Sequence, residues 1–490
     1  MQACIFSYCV TCEDIEIEEL DVVRKMGAYS VLTDSRTPWD SAESAERACA
    51  IYGYAVNVTT GERAGLAEKM HTACRTIQDI VAYEKQLGGK YVIFYRNAEG
   101  FFLLGDATCS VPVYYGVGLP GVMCASNPQY IVQRYGLVPD AQLNAIRSSG
   151  DISQAMPFDV TPYSEMKQLL PNHYLSASEQ RAVRFVNASS PQAEVTIQQA
   201  VEQTAPMIDV LTGYYLENFP IYCPITAGMD SRTVLAFLAR RQDTVSCYTI
   251  RHPEHSGDAQ DIRVPQKLCA MHGQPHRLVE DVTVSSAEKA RVDELLGEGS
   301  YSQRTLRIAQ TVNTWFGDGA ILNGDIIGQV GKCSLHRDIP QWLATPGYFR
   351  CKLHNFSRGA LTYLKLWLDE IAAGGEKVNT FDLFSIENRM GRWAGQTSLV
   401  YNTIGQLSLN IFNSRSIIYV WTAIQRSQRM NGLLHLALIE DQMPALLNIP
   451  FGNEQNLFHR ISKRTWHLYY LASFIKYYSG AVLFQRKKKQ

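Results

Sequence analysis

A run of small and polar residues, Thr226-Ala227-Gly228-Met229-Asp230-Ser231-Arg232, carries the clearest chemical potential in this chain. It follows the apolar segment 219–225, in which Ile221, Tyr222 and Ile225 are strand formers. It precedes Val234, Leu235, Phe237 and Leu238, which recur at helical spacing. The predicted local structure is a strand, a tight turn and the start of a helix. Such a turn leaves backbone N–H groups unpaired at the positive end of a helix, and it suits an anion, above all a phosphate chain. Gly228 permits close backbone approach, and Ser231 adds a hydroxyl donor. Asp230 offers an oxygen ligand for the Mg²⁺ that accompanies a nucleotide. The plainer alternative is an N-capped helix after a buried strand. No G-x-x-x-x-G-K-[ST] segment occurs in the 490 residues, which argues against a P-loop NTPase.

A second predicted strand runs into a glycine-containing turn at Ala320-Ile321-Leu322-Asn323-Gly324-Asp325. The elements that must carry these turns are legible around them. A helix from 197 to 215 precedes the loop strand. After the loop, 245–250 reads as a strand, 258–272 as a helix interrupted or begun near Pro265, and 275–279 as a third strand. This alternation predicts an α/β unit with a doubly wound parallel sheet. Ligands of such sheets sit beyond the carboxyl ends of the strands, where 226–232 and 250–256 would both lie. His252 and His255 read as polar loop residues near that rim.

The amino-terminal part is β-rich. Residues 91–95 and 101–104 are strand-like, and Asn97-Ala98-Glu99-Gly100 joins them as a hairpin. Ser189-Ser190-Pro191-Gln192 breaks the pattern, which divides the chain into domains 1–190 and 191–490. The last third is helix-rich. Its segment 386–393 carries Glu387, Arg389 and Arg392, expected to form a charge network at i,i+4 or i,i+5 spacing.

Length alone calls for two domains, and 46% hydrophobic with 19% charged residues describes a globular chain. A formal net charge of −1 gives no electrostatic case for nucleic acid, and the basic run Arg486-Lys487-Lys488-Lys489 reads as a solvated end. No run of about 20 apolar residues predicts a membrane span, and the acidic 13–19 segment does not read as a signal peptide. Twelve irregularly scattered cysteines read as reduced thiols in a cytoplasmic protein. Cys9 and Cys12 form a C-x-x-C without a partner pair, so no metal is assigned to cysteine.

T-A-G-M-D-S-R resembles the pyrophosphate loop S-G-G-x-D-S of the ATP-pyrophosphatase superfamily, in the variant found among asparagine synthetase-like proteins. Upstream, 91–116 resembles that family's G-x-F-A-F … R-D-x-x-G-x-x-P-L-Y-Y, Cys124-Ala125-Ser126 its A-S-E, and Pro171-Asn172-His173-Tyr174-Leu175 its P-P-G-x-Y-L. The resemblance implies an amino-terminal αββα sandwich of the class II glutamine amidotransferase type. Such glutaminases use cysteine as residue 2, whose α-amine serves as base after Met1 is removed. Here residue 2 is Gln, Asp106 lacks the preceding arginine, and no N-G-E-x-Y-N segment is present. Cys4 would serve only after cleavage of three residues. The expectation is a glutaminase-shaped domain without glutaminase chemistry.

Downstream, Asn323-Gly324-Asp325 takes the place of the family's S-G-E-G-S-D-E, with Asp325 on the first glutamate and Gly328 and Gln329 on the later acids. Glu387 to Trp393 is similar to an E-x-R-x-x-R-W segment, and 445–451 to a late L-x-x-I-P stretch. What the resemblance implies is ATP with Mg²⁺. Thr226, Ala227, Gly228, Asp230, Ser231, Arg232, Ile250, Gly324 and Lys463 would surround the nucleotide, Lys463 with Arg464 neutralising pyrophosphate. Asp230 and Asp325 would hold the metal, and Asp325 would be the catalytic acid or base. The implied reaction adenylates a small-molecule or peptide carboxylate, after which an amine or ammonia displaces AMP, in polysaccharide or natural-product biosynthesis. The alternative is a catalytically degenerate homologue that binds nucleotide or a partner protein and serves as a regulator or scaffold.

Overall fold

The computed structural model describes residues 4–121, 123–144, 146, 156–186, 194–238, 245–251, 260–298, 300–333, 339–353, 355, 357–372, 379–452, 467–471 and 474–475. The amino-terminal strands are β1 (Tyr8–Thr11), β2 (Val22–Met26), β3 (Tyr29–Thr33), β4 (Trp39–Glu43), β5 (Ala48–Asn57), β6 (Leu87–Asn97), β7 (Gly100–Gly105), β8 (Tyr114–Gly116), β9 (Met123–Ala125), β10 (Met166–Gln168), β11 (His173–Ser176) and β12 (Arg181–Arg184). They form two antiparallel sheets, ordered β10-β8-β9-β1-β3-β2 and β12-β11-β7-β6-β5-β4. The expected hairpin is present: Asn97 pairs with Gly100, leaving Ala98 and Glu99 as a two-residue turn.

Period-2 alternation sorts these strands' side chains between layers. Tyr8 and Val10 of β1, Val92 and Phe94 of β6, and Phe101 and Leu103 of β7 share one core between the sheets. Tyr91, Ile93, Tyr95, Phe102 and Leu104 face outward, onto helices Leu66–Ala73 and Ile77–Glu84. Cys9 faces the opposite way, toward Tyr130 and Ile131 of helix Pro128–Tyr135. The layers therefore run helix, sheet, sheet, helix.

The carboxyl-terminal strands are β13 (Ile221–Pro224), β14 (Val245–Arg251), β15 (His276–Glu280), β16 (Ala320–Leu322) and β17 (Leu407–Leu409). They make one parallel sheet in the order β15-β14-β13-β16-β17. Helix Met229–Leu238 and helix Gln260–Met271 pack Val234, Leu235, Leu268 and Cys269 with Ile221 and Cys223 of one face. Helix Gln303–Phe316 packs Val312 and Phe316 on Tyr248 and Ile321 of the other. Strand order reverses between β13 and β16, and both predicted turns leave the sheet there. The helix expected to end at 215 runs from Ile197 to Asn218, capped by Thr196 and Gln199 as a capping box. Residues 187–193, where the domain boundary was expected, lie outside the described residues. No described helix is long and apolar enough to cross a membrane.

Buried polar groups join the two halves. Arg415 meets Glu84 at 2.6 Å and donates to Asn172 Oδ1 at 3.0 Å. Glu387, fully buried, accepts from Arg184 (2.6 Å), Asn172 Nδ2 (3.0 Å) and Trp367 Nε1 (2.7 Å). Arg392 donates to the carbonyls of Met156 and Val160. This corrects the expected local charge network in 386–393. The segment is a π-helix, Ser385–Ala394, and with Glu387 and Arg392 both buried, groups from other segments satisfy them in place of one another. Arg389 lies 4.7 Å over the ring of Trp393.

Candidate functional site

Beyond β13, Ile225 N–H donates to Tyr248 O at 2.8 Å, and the chain then turns into helix Met229–Leu238. The turn is tied by its own polar side chains. Thr226 N–H donates to Ser231 Oγ at 3.1 Å, and Gly228 N–H to Thr226 Oγ1 at 3.2 Å. Ala227 N–H donates to the Asp261 carboxylate at 3.0 Å, while Ala227 O accepts from Gly452 N–H at 3.1 Å. The N–H groups left for an anion are those of the first helical turn, Met229, Asp230 and Ser231, which have no intrahelical acceptor. A Cβ added at Gly228 would approach only Thr226 Oγ1 at 3.3 Å, so this side of the turn is open to close approach.

The second turn presses against the first. A Cβ at Gly324 would lie 3.1 Å from Asp230 O and 3.2 Å from its carbonyl carbon. A Cβ at Gly328 would lie 2.5 Å from Asp230 Oδ2, so the Asp230 carboxylate fills the place a side chain at 328 would need. Its other oxygen accepts from His435 Nε2–H at 2.9 Å, and His435 is fully buried on helix Leu433–Gln442. Burial pushes the Asp230 carboxyl up, but the hydrogen bond and charge of His435, with the charge of Lys332, hold it below its ordinary value. Asp325 differs. Its N–H donates to Asn323 Oδ1 at 3.3 Å, and its carboxylate takes no hydrogen bond from any described residue. Burial, and then the charge of Asp230, raise it to about 6, against the opposing pull of Arg389.

Thr226, Ala227, Gly228, Asp230, Ser231, Gly324 and Asp325 thus converge at one rim. Arg232 does not join them. It is fully buried, and its guanidinium turns away to donate to the carbonyls of Leu446, Ile449 and Pro450. The expected nucleotide contact is corrected accordingly: at the fourth position of the helix its long side chain runs under the loop. The Ile250 side chain packs in the apolar cluster with Tyr248 and Val279, and Thr249 turns to the other face to donate to Ile225 O. Lys463, Arg464, His252 and His255 lie outside the described residues. Sequence reasoning missed His435 and Asp261. Neither sits in a motif, and both act across the fold, so no local signal marks them.

Asp325 also lines a polar cavity between the halves with Lys90, Thr108, Ser110, Asn323 and Asn410. Lys90 is 2% exposed and donates to Ser398 Oγ (2.8 Å), Asn402 Oδ1 (2.7 Å) and Ser408 O (3.3 Å). Burial lowers its amine to about 7, opposed by the charge of Asp106. Cys4 is buried, with its thiol donating to Thr403 O at 3.4 Å. Burial raises that thiol despite Arg291, the reverse of what a nucleophilic thiolate needs.

The donor set fits Mg–ATP in its composition. Burial first, and the charge of Asp230 second, hold Asp325 up, and a divalent cation beside the two carboxylates would offset both. Among the described residues no three His, Cys, Asp or Glu side chains group to hold a metal, so phosphate oxygens and water would complete the shell.

No family model matches the chain, and no curated protein matches it. Among solved structures, one described as the allosteric regulatory enzyme of purine biosynthesis is similar at a TM-score of 0.24 and 10% identity, over 59% of this chain and 64% of the other. A glutamine phosphoribosylpyrophosphate amidotransferase from B. subtilis, complexed with ADP and GMP, is similar at a TM-score of 0.20 and 10% identity, over 54% of this chain and 56% of the other. The chain thus spans less than two thirds of either protein. This distant likeness is too slight to carry a functional argument.

Proposed function

We propose that the chain is an ATP-dependent ligase that activates a carboxylate and passes it to an amine. The observation that carries this reading is the meeting of the two turns at the strand-order switch, with helix-first-turn N–H groups and two carboxylates on one rim. When bound, Mg–ATP would supply the electrophilic phosphorus and a pyrophosphate leaving group. The first-turn N–H groups of 229–231 would take the polyphosphate's charge, worth most at this positive helix end. Asp230 would hold the cation in the orientation that His435 and the bare Gly328 impose. Asp325, whose carboxylate takes no hydrogen bond from any described residue and is raised to about 6, suits the removal of a proton from the attacking amine near neutral pH. The glutamine-derived amine of the related class is not expected, because the Cys4 thiol is buried and raised. Ammonia or an amine of the substrate would take its place.

Isothermal titration of Mg–ATP into wild type and Asp230→Asn tests the site. The variant keeps the turn but loses a charged oxygen ligand, and we expect at least tenfold weaker binding. Equal affinity would remove the loop from the site. The bare Gly328 and Gln329 favour a second reading, a nucleotide-binding regulator. Tight Mg–ATP binding without AMP formation on a panel of carboxylates and amines would support it.

A further inference from the structure

The polar group the loop sends away from the cleft is its arginine. Arg232 Nη1 donates to Leu446 O at 3.1 Å and to Ile449 O, and Nη2 donates to Pro450 O at 3.3 Å. Its guanidinium carbon lies 4.0 Å from the ring centroid of Phe451. It pairs with no carboxylate of any described residue. These carbonyls belong to the end of the short helix Pro444–Asn448 and the extended residues after it, so one planar fork satisfies acceptors that a helix terminus leaves open. The same segment then reaches the loop itself. Gly452 N–H donates to Ala227 O at 3.1 Å, and a Cβ at Gly452 would fall 2.6 Å from Ala227 Cβ and 3.1 Å from Gln260 Oε1. Any side chain at 452 would push the two backbones apart.

We propose that Arg232 is a positioning residue: it fastens segment 446–452 to the 226–231 turn, so that the segment and the turn form one wall of the polyphosphate site. A direct ligand contact is excluded by full burial, and a mere core role leaves the Ala227–Gly452 contact unexplained. The proposal rests on the nucleotide reading above for what the wall holds, and on the geometry alone for the fastening. Lysine cannot replace the arginine, because one ammonium lacks the planar fork that spans three carbonyls.

The test is amide hydrogen exchange and Mg–ATP titration on the full chain as wild type, Arg232→Met, Arg232→Lys and Phe451→Leu. We expect exchange at 446–452 to rise at least tenfold in both Arg232 variants, with strand Leu87–Asn97 unchanged, and Mg–ATP affinity to fall about tenfold. Because coupling is reciprocal, Mg–ATP should protect the Gly452 amide in wild type and not in Arg232→Met. Phe451→Leu keeps the fork and should show a smaller rise, and it serves with Arg232→Lys if Arg232→Met fails to fold. Unchanged exchange at 446–452 in the Arg232 variants would overturn the fastening. Looser exchange with undiminished affinity and ligand protection would overturn the positioning role. A wild type that binds no Mg–ATP would overturn the nucleotide reading, while the exchange data still decide the fastening.

Discussion

Asp106 and Asp325 stand in the same local sequence, a Gly-Asp pair just after a strand, and meet opposite environments. Asp106 follows β7 and is fully buried. Six donors converge on it: the N–H groups of Tyr91, Thr108 and Ser110, the hydroxyls of Thr108 and Ser110, and Asn413 Nδ2 from the other half of the chain. Asp325 follows β16, and its carboxylate meets no such donor among the described residues. A buried carboxylate that the fold satisfies is a structural joint. One left open beside a second carboxylate keeps its lone pairs available, at a cost in stability.

The largest expected effect falls on the satisfied acid. Asp106→Ala removes the acceptor of the buried Tyr91 and Thr108 N–H groups and of the half-buried Ser110 N–H, and should lower unfolding free energy by roughly 3–5 kcal/mol in urea titrations. A loss below about 1 kcal/mol would break the contrast at its structural end. Next comes Lys90, whose charge the same seam encloses. The unfolded amine keeps its proton to about 10.5, whereas the folded one releases it near 7. The unfolded state therefore binds more protons between those values, and stability should rise with pH across that window. Lys90→Met should flatten this rise, and a wild-type curve with no rise would refute the buried-amine account.

At the open acid, Asp325→Asn should lower turnover about a hundredfold while leaving Mg–ATP affinity within a few-fold. Its stability signature has the opposite sign to that of a satisfied carboxylate. A folded carboxyl raised to about 6 contributes stability below its unfolded value near 3.8 and loses it as pH rises to about 6. The variant should lack that fall and be no less stable than wild type at pH 7. A variant both destabilised and fully active would make Asp325 another structural turn. The smallest effect should come from Ser231→Ala, which removes the acceptor for Thr226 N–H. It should weaken Mg–ATP binding by about 1 kcal/mol, and a change as large as that of Asp230→Asn would shift the main contact onto the hydroxyl.

Much of the scaffold was legible because its causes are local. Alternation in 91–95 and 101–104 with a two-residue turn between them leaves one solution, a hairpin, and that hairpin is present. The strand, small-residue turn and helix around 221–238 were legible for the same reason, as was the parallel sheet that the strand and helix alternation implies. Glu387 and Arg392 were misread for a reason equally physical. Their spacing fits a helical charge stripe, but both are buried in a π-helix, and groups from other segments satisfy each in place of the other.

By itself, then, the amino-acid sequence determined which segments turn and where backbone N–H groups open at a helix start. Those properties follow from φ/ψ preference and side-chain period over a few residues. Only the tertiary structure decided what each polar side chain faces. It aimed Arg232 at carbonyls beyond residue 445, set His435 against Asp230, lent Asp261 to Ala227, and brought Asn413 to Asp106 while leaving Asp325 bare. Hydrogen-bond partners are chosen by distance in space, and a Gly-Asp pair carries no trace of which donors the folded chain brings to it.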